Sequence, residues 1–383
     1  MTVMPRPFRI DVPQDVLDDL HMRLARTRLP WNEPDAEPWQ YGTELAYMGE
    51  MVTFWRDKYN WREWEARLNA FPQFHANVGG LDIHYIKEVG SGPNPLPLIL
   101  THGWPGSVAE FLDVIEPLAH PERFGGDVAD AFTVIVPSLP GYGFSAAPPR
   151  PITPRIIAGL WQELMTDVLG YQRYVAQGGD VGAGVSAWLA LDFPKSVAAL
   201  HLNMAALQRE VADADLSDDE RDWKRRAAQR RNGETAYQQI QGTKPQTLAY
   251  GLTDSPAGLA AWILEKFHGW TIFRQNRQPP FDRGHLLTNI MLYWLNGINA
   301  ANWMYCGLVA GTSFKLAEHE FVTVPTGMLL FPDDISVPPP DEWLRRSFNL
   351  VSRHDAAEGG HFAALQCGPI LIDDMRRFFR DFR

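Results

Sequence analysis

From residue 76 onwards, short apolar segments that end in Gly, Pro or His alternate with helical patterns, and this alternation limits the fold more than any other feature of the sequence. The strand-like segments include LDIHYIKEV, LPLILTHG and FTVIVPSLPG, and helical patterns follow at 107–118 and 153–169. Strands that alternate with helices form a mostly parallel sheet with helices on its faces. The pattern resumes later in TGMLLFP and NLVSRHD. The sequence therefore predicts an α/β fold with a mostly parallel central sheet.

Two helical regions lie outside this alternation. The first 75 residues are rich in tryptophan, including Trp31, and show helical periodicity without a convincing strand pair. A second helical region separates the late strands, and an insertion at that point of the chain is expected to cover the carboxyl edge of the sheet as a cap. We therefore predict an N-terminal helical extension, a first core segment, a cap and a last core segment, at 1–75, 76–204, 205–322 and 323–383.

The composition excludes several classes of partner. The formal net charge is −11, from 35 basic and 46 acidic residues. An acidic chain is repelled by nucleic acid and by anionic membrane surfaces, so neither is an expected partner. The cysteines, Cys306 and Cys367, have neither a metal-site spacing nor the number that a disulfide framework needs. With no signal peptide or long apolar segment, we expect a soluble, cytoplasmic protein without a membrane anchor.

A glycine-rich turn, GGDVG at 178–182, places Asp180 between a strand-like and a helix-like segment. This is the G-x-nucleophile-x-G form of the sharp strand-to-helix elbow of α/β hydrolases, with aspartate in the position of serine. Flanking glycines are expected to allow the strained backbone. On this motif alone, an ordinary glycine turn with a solvated aspartate is an equal alternative. A dinucleotide site, suggested by G-x-G-x-x-A at 182–187, lacks the required acidic residue after the next strand.

The segment THGWPGS, at 101–107, follows an apolar strand and has a small, kinked form. The backbone N–H of Trp104 can face a developing oxyanion there, and the N–H of Val181 would complete a two-donor oxyanion hole. His102 is interpreted as a structural hydrogen-bonding residue. Ser145 in GYGFS lacks an elbow and is interpreted as a loop residue, with Tyr142 near the pocket.

An acid and a histidine follow Asp180 in the chain. LLFPDDI ends a late strand with Asp333 and Asp334, and AEGGHFAAL places His361 in a glycine-framed loop before the last helix. The order nucleophile, acid, histidine is that of the α/β hydrolases. The sequence therefore predicts a charge-relay pair at the carboxyl edge of the sheet.

The motifs HGWPGS, PSLPGYGFS, QGGDVG, FPDD and EGGHFAAL together resemble epoxide hydrolases of the microsomal-like branch. The tryptophan-rich N-terminal block and the cap stretch IQGTKPQTLAYGLTDSP resemble the same branch, so the resemblance covers nearly the whole chain. It implies an α/β-hydrolase fold, and hydrolysis of an apolar epoxide to a vicinal diol through an ester on Asp180, without a metal or organic cofactor. It also implies a homodimer, and a place in detoxification or secondary metabolism.

The resemblance also assigns residues. The acid of the family falls two residues after FP, which implies Asp334, and Asp333 and Glu358 are alternatives. Two cap tyrosines protonate the epoxide oxygen in the family, and Tyr237 and Tyr305 hold the matching positions. Before the second tyrosine this chain has Ala300 and Trp303 where the family commonly has Ser and Arg. Two other cap tyrosines are alternatives: Tyr250 and Tyr293.

Val181 is a further departure, because the family often has Trp directly after the nucleophile. The smaller side chain predicts a wider pocket and a bulkier substrate. It also disfavours a haloalkane dehalogenase, in which a tryptophan at this position helps to bind the halide. A catalytically silent hydrolase fold, retained as a binding module, is the second alternative, and the complete set of Asp180, Asp334 and His361 disfavours it.

Overall fold

The computed structural model describes residues 4–30, 35, 37–271, 280–309 and 314–383, so Trp31 lies outside the described residues. In chain order the strands are β1 (Arg6–Phe8), β2 (Gln73–Val78), β3 (Leu81–Glu88), β4 (Leu96–Thr101), β5 (Phe132–Pro137), β6 (Tyr174–Gly178), β7 (Val197–Leu202), β8 (Gln208–Arg209), β9 (Lys315–Leu316), β10 (Val322–Leu330) and β11 (Phe348–Asp355). Within the described residues, nine of them form one sheet in the order β1-β2-β3-β5-β4-β6-β7-β10-β11, and β8 pairs with β9.

The sheet is antiparallel at one side and parallel through its centre. β1, β2, β3 and β5 pair antiparallel in succession. The other five neighbouring pairs of this sheet, in the order β5-β4-β6-β7-β10-β11, are parallel. The central strands read as continuous apolar runs because both faces are covered, and every residue of β5 and β6 is buried. The prediction of an α/β fold with a mostly parallel sheet is confirmed.

Helices cover the faces of the sheet and build the two additional regions. They are α1 (Gln14–Ala25), α2 (Leu45–Asp57), α3 (Trp61–Leu68), α4 (Leu112–Ala119), α5 (Pro154–Glu163), α6 (Asp180–Asp192), α7 (Asp218–Arg231), α8 (Ala236–Thr243), α9 (Pro245–Asp254), α10 (Pro256–Gly269), α11 (Arg283–Asn296), α12 (Ile298–Val309), α13 (Asp341–Arg345), α14 (Ala363–Gln366) and α15 (Gly368–Phe379). Helices α7 to α12 lie between β7 and β10 in the chain, where the cap was predicted. No helix in the described ranges has both the length and the apolar character to cross a membrane.

The N-terminal region differs from the sequence analysis in one respect. The sequence predicts helices alone there, but Arg6–Phe8 forms β1 and extends the sheet by pairing with Gln73–His75. A strand of three residues that contains proline and lies at the sheet edge has no periodicity to detect.

The N-terminal region also contacts the cap. The hydroxyl group of Tyr59 lies 2.9 Å from that of Thr288 in α11. The hydroxyl group of Thr43 donates to the carbonyl of Ala261 in α10 at 2.8 Å. The N-terminal helices therefore pack directly on α10 and α11.

Candidate active site

Asp180 lies at the junction of β6 and α6, at the carboxyl edge of the sheet. Its φ angle is 50°, in the left-handed region that side chains other than glycine rarely adopt. The nearby glycines serve close packing instead. A Cβ at Gly182 would lie 1.9 Å from the carbonyl oxygen of Thr101, and one at Gly103 would lie 2.2 Å from Oδ1 of Asp180. The strained residue of the elbow is therefore Asp180 itself, and the glycines beside it leave the space that this close packing needs.

The two oxygens of the Asp180 carboxylate have different partners. The backbone N–H of Trp104 donates to Oδ1 at 2.8 Å. Nε2 of His361 lies 3.1 Å from Oδ2. The side chain keeps an exposed fraction of 20%. One carboxylate oxygen is thus held by a backbone donor, and the other faces a histidine.

His361 bridges two carboxylates. Its Nδ1 lies 2.9 Å from Oδ1 of Asp334, and the N–H of Ser336 also donates to that oxygen at 2.9 Å. Asp334 is buried, whereas Asp333 is half-buried and Glu358 is exposed. The structure therefore brings Asp334 to the histidine, from among the three acids that the sequence left open.

The charges around His361 change its pKa. Burial lowers the pKa of a histidine, but the Asp334 charge and hydrogen bonds to Asp180 and Asp334 outweigh burial and raise the pKa of His361 to about 10. In the free enzyme at neutral pH the ring is therefore an imidazolium between two carboxylates.

Tyr237 in α8 and Tyr305 in α12 lie opposite this carboxylate in the cap. Both side chains are buried, and their hydroxyl oxygens are 3.4 Å apart. The Trp104 ring stacks on the Tyr237 ring with a centroid separation of 4.7 Å. Burial raises the pKa of both phenols, so both are protonated at neutral pH.

A cavity of about 310 Å³ joins the two tyrosines to Asp180 and His361. This volume is within the range of small-molecule sites. Its wall combines apolar side chains, among them Val181, Met204, Ala205, Trp270, Leu308 and Phe314, with polar side chains that include Gln208, Arg231 and Lys315. Val181 follows Asp180 in the first turn of α6, where helix N–H groups have no intrahelical acceptor.

The competing tyrosines have other surroundings. Tyr250 has an exposed fraction of 72%. The hydroxyl group of Tyr293 donates to the carbonyl of Gly106 at 2.6 Å, and that of Tyr142 donates to the carbonyl of Ala301 at 3.2 Å. Tyr237 and Tyr305 are therefore the cap tyrosines that line the cavity together with Asp180.

His102 and Ser145 have structural surroundings. The ring of His102 donates from Nδ1 to the carbonyl of Gly103 at 3.0 Å and accepts the N–H of Leu139 at 3.1 Å. Burial lowers the pKa of His102 to about 4, so the ring is neutral. Ser145 is buried, and its hydroxyl donates to the carbonyl of Ser138 at 2.8 Å.

The sequence analysis missed Trp270 and Glu110. The Trp270 ring meets the His361 ring edge to face at 4.8 Å, and its carbonyl accepts the backbone N–H of His361. Glu110 is the single charged residue in the apolar stretch SVAEFL that follows the HGWPG motif. An isolated acid in an apolar stretch is the signal that could have identified Glu110, but no comparable signal marks Trp270.

An aspartate elbow at the carboxyl edge of a mostly parallel sheet, followed in the chain by the acid and the histidine that contact it, places the protein among the α/β hydrolases. Residues 97–252 match the family model of the alpha/beta hydrolase fold. Residues 5–111 match the family model of the epoxide hydrolase N terminus.

Individual relatives give the narrower family. Epoxide hydrolase 1 of Oryctolagus cuniculus is 36% identical, with 97% of this chain and 88% of the relative covered. The solved structure of Aspergillus niger epoxide hydrolase is 31% identical with a TM-score of 0.85, over 100% of this chain and 97% of that one. The crystal structure of juvenile hormone epoxide hydrolase from Bombyx mori is 32% identical with a TM-score of 0.83, and the match covers 100% of this chain and 95% of that one. The chain belongs to the epoxide hydrolase family, whose members hydrolyse ether bonds, and the predicted fold and enzyme class are confirmed.

Proposed function

We propose that the protein hydrolyses a bulky, apolar epoxide to a vicinal diol through an ester on Asp180. The observation that carries the proposal is the pair of buried phenols, Tyr237 and Tyr305, which line one cavity with the Asp180 carboxylate. A nucleophile on one side of a cavity and proton donors on the other are what ring opening requires. The small side chain of Val181 leaves room beside Asp180 for a bulky substituent.

In the first step, Oδ2 of Asp180 attacks a ring carbon and the bond from that carbon to the epoxide oxygen breaks. Oδ1 stays as the carbonyl oxygen of the new ester, held by the Trp104 N–H. The alkoxide takes a proton from Tyr237 or Tyr305, because a phenol is a much stronger acid than an alcohol. The second phenol stabilises the phenolate by donating a hydrogen bond to it.

Formation of the ester also prepares His361 for the second step. The ester removes the negative charge of Asp180, so the pKa of His361 falls and the imidazolium releases a proton, which restores the phenol. The neutral ring, oriented by Asp334, then takes a proton from a water molecule that attacks Cγ of Asp180.

The resulting oxyanion at Oδ1 is stabilised by the N–H groups of Trp104 and Val181. Its collapse breaks the bond from Cγ to Oδ2, and the leaving diol oxygen takes the proton from His361. The Asp180 carboxylic acid that remains, with one oxygen from water, passes its proton to His361, and this restores both the carboxylate and the imidazolium.

A His361→Gln variant will form the ester but will not hydrolyse it, because the base is lost while the nucleophile remains. We expect a mass gain of one substrate molecule on the peptide that contains Asp180, measured by mass spectrometry after incubation with styrene oxide. The substrate panel adds bulkier epoxides and juvenile hormone, the latter because the Bombyx mori relative is named for it. The best-trapped member defines the substrate class.

The matched control is the double variant Asp180→Asn/His361→Gln, which should gain no mass. A folded His361→Gln variant that no epoxide labels would overturn the nucleophile assignment. Labelling by haloalkanes in place of epoxides would instead support a dehalogenase.

Removing one phenol will slow ring opening, and removing both will nearly stop it. We expect Tyr237→Phe and Tyr305→Phe each to lower the alkylation rate roughly tenfold to 100-fold, and the double variant to lose the full general-acid contribution of about 10²- to 10⁴-fold. Stopped-flow measurement of alkylation separates this step from hydrolysis. The exposed Tyr250 gives the control variant Tyr250→Phe, with an unchanged rate, and a fully active double variant would disprove the assignment.

The homodimer, the cytoplasmic location and the role in detoxification or secondary metabolism stay predictions from the sequence.

A further inference from the structure

Helix α11 of the cap is buried on all sides over most of its length. Every residue from Gly284 to Tyr293 is buried. Most of these side chains are apolar, but His285, Thr288, Asn289 and Tyr293 carry polar groups. A buried polar group destabilises the fold unless a hydrogen bond satisfies it. The partners of these four side chains therefore show which neighbours α11 binds.

Three of the four polar side chains, at positions 285, 289 and 293, are spaced by four residues and share one face of α11. This face contacts residues 102–109, the segment after β4, which we call the oxyanion loop. The hydroxyl group of Tyr293 donates to the carbonyl of Gly106 at 2.6 Å. Nε2 of His285 donates to the carbonyl of Ala109 at 2.7 Å. The two ends of this face therefore both bind the backbone of the loop.

Asn289 makes the central contact between α11 and the oxyanion loop. Its amide nitrogen donates to the carbonyl of Pro105 at 2.7 Å, and its amide oxygen accepts the hydroxyl hydrogen of Ser107 at 2.6 Å. Asn289 and Ser107 are both buried, so bulk water does not compete for these bonds. One amide group thus binds the loop as donor and as acceptor, which fixes the position of the loop along the helix.

The fourth polar residue, Thr288, faces another part of the protein. Its hydroxyl oxygen lies 2.9 Å from that of Tyr59 in the N-terminal region, and its hydroxyl group donates to the carbonyl of Gly284 at 2.8 Å. Helix α11 therefore binds the oxyanion loop on one face and the N-terminal region on another.

The oxyanion loop contains the backbone donor that contacts the nucleophile. The N–H of Trp104 donates to Oδ1 of Asp180 at 2.8 Å, and Pro105 follows Trp104 directly. The described residues 102–107 form neither a helix nor a strand. Because no regular backbone ladder holds this segment, the direction of the Trp104 N–H depends on contacts from neighbouring elements, and α11 supplies contacts to the next residues of the loop.

We propose that α11 directs the oxyanion donor, and that Asn289 and Tyr293 are positioning residues that keep the Trp104 N–H pointed at Oδ1 of Asp180. The inference rests on the proposed ester at Asp180. It goes beyond that ester because it makes the docking of a cap helix a condition for stabilising charge in the core.

The two chemical steps should respond differently to a change in this donor. In the free enzyme Oδ1 shares the negative charge of the carboxylate, and this charge moves to the epoxide oxygen during ester formation. The hydrogen bond from Trp104 therefore weakens in the first transition state and does not accelerate that step. During hydrolysis a negative charge develops on Oδ1, and the same hydrogen bond becomes stronger. Loosening the loop should therefore slow hydrolysis selectively.

The test is rapid quench with the epoxide that labels Asp180 best, because it measures ester formation and ester hydrolysis separately. Asn289→Leu keeps the approximate shape of the side chain and removes both of its contacts to the loop. We expect ester formation within about threefold of the wild-type rate and hydrolysis slower by about tenfold to 100-fold, less than the loss of a whole oxyanion donor would cause. The ester should therefore accumulate during turnover.

Tyr293→Phe is the milder variant, because it removes one hydroxyl group and keeps the ring. We expect the same selective effect at a smaller size, with hydrolysis slower by about threefold to tenfold. The matched control is Tyr59→Phe, which removes a buried hydroxyl contact to Thr288 on the other face of α11. It should leave both rates unchanged, and thermal unfolding compares the stabilities of the three variants.

Equal slowing of both steps would overturn the proposal, because α11 would then support the site as a whole. Hydrolysis at the wild-type rate in either folded variant would overturn it as well. If Asn289→Leu does not fold, Tyr293→Phe decides the question. Failure of the wild type and of His361→Gln to form any ester would instead overturn the proposed function, so the two failures are distinguishable.

Discussion

An Asp180→Asn variant will fold normally and lose on the order of 10⁴-fold or more of its turnover. The amide is uncharged and cannot displace an epoxide oxygen at a useful rate. The fold should tolerate the change, because asparagine, like aspartate, enters the left-handed region where residue 180 has its φ of 50°. Steady-state diol formation measures the loss, and thermal unfolding measures the stability.

The matched control is Asp192→Asn at the other end of α6. Asp192 pairs with Arg155 at 2.6 Å near the surface, so its replacement should cost at most about 1 kcal/mol of stability and leave turnover unchanged. If Asp180→Asn kept a substantial share of the wild-type turnover, water would have to attack the epoxide directly. The ester mechanism would then be wrong.

Much of the catalytic edge follows from the order of motifs in the chain. Asp180 and Asp334 each come directly or shortly after a parallel strand, and the carboxyl ends of parallel strands meet at one edge of a sheet. The order of the elbow, the acid and the histidine in the chain therefore predicts that these three residues meet at the carboxyl edge of the sheet. The fold class was predictable for the same reason.

The choice between neighbouring residues came from the family resemblance alone, because the strand pattern does not fix the register to one residue. Asp333 and Asp334 follow the same strand, and a slip of one residue exchanges them. The structure selects Asp334 through two donors, the ring of His361 and the backbone N–H of Ser336. Neither contact can be predicted from the composition or the spacing of the residues around Asp333 and Asp334.

The tyrosine pair and Glu110 depend on tertiary packing. Tyr305 is placed by the seating of α12 on the core, and Glu110 reaches the site only because Gly106 leaves a space. Tyr293 was an alternative by sequence, yet its hydroxyl group donates to the carbonyl of Gly106. Which phenols face a cavity is set by how the cap helices dock, and local sequence does not encode that docking.

An Asp334→Ala variant will still form the ester and will fail mainly in its hydrolysis. Asp334 acts on His361, which is needed as a base only in the second step. We expect ester formation within about tenfold of the wild-type rate and hydrolysis slower by about 10³- to 10⁴-fold, the scale seen when the orienting acid of a triad is lost. Rapid quench with an epoxide that labels Asp180 measures the two rates separately.

Asparagine at this position should be less harmful than alanine. The N–H of Ser336 donates to the same oxygen that faces Nδ1 of His361, so it would keep the carbonyl of an asparagine directed to the ring. The tautomer with a basic Nε2 would survive, and only the charge would be lost. Hydrolysis in Asp334→Asn should therefore exceed that in Asp334→Ala by at least about tenfold.

The pH profile has a definite sign. The Asp334 charge raises the pKa of His361 and burial lowers it, so loss of the charge shifts the pKa downward. Hydrolysis needs the neutral ring, and its acidic limb should therefore move to lower pH in Asp334→Asn, while the plateau rate falls. Asp333→Asn is the control, with both rates and the profile unchanged. If ester formation and hydrolysis fell equally in Asp334→Ala, the acid would be supporting the site as a whole rather than the base.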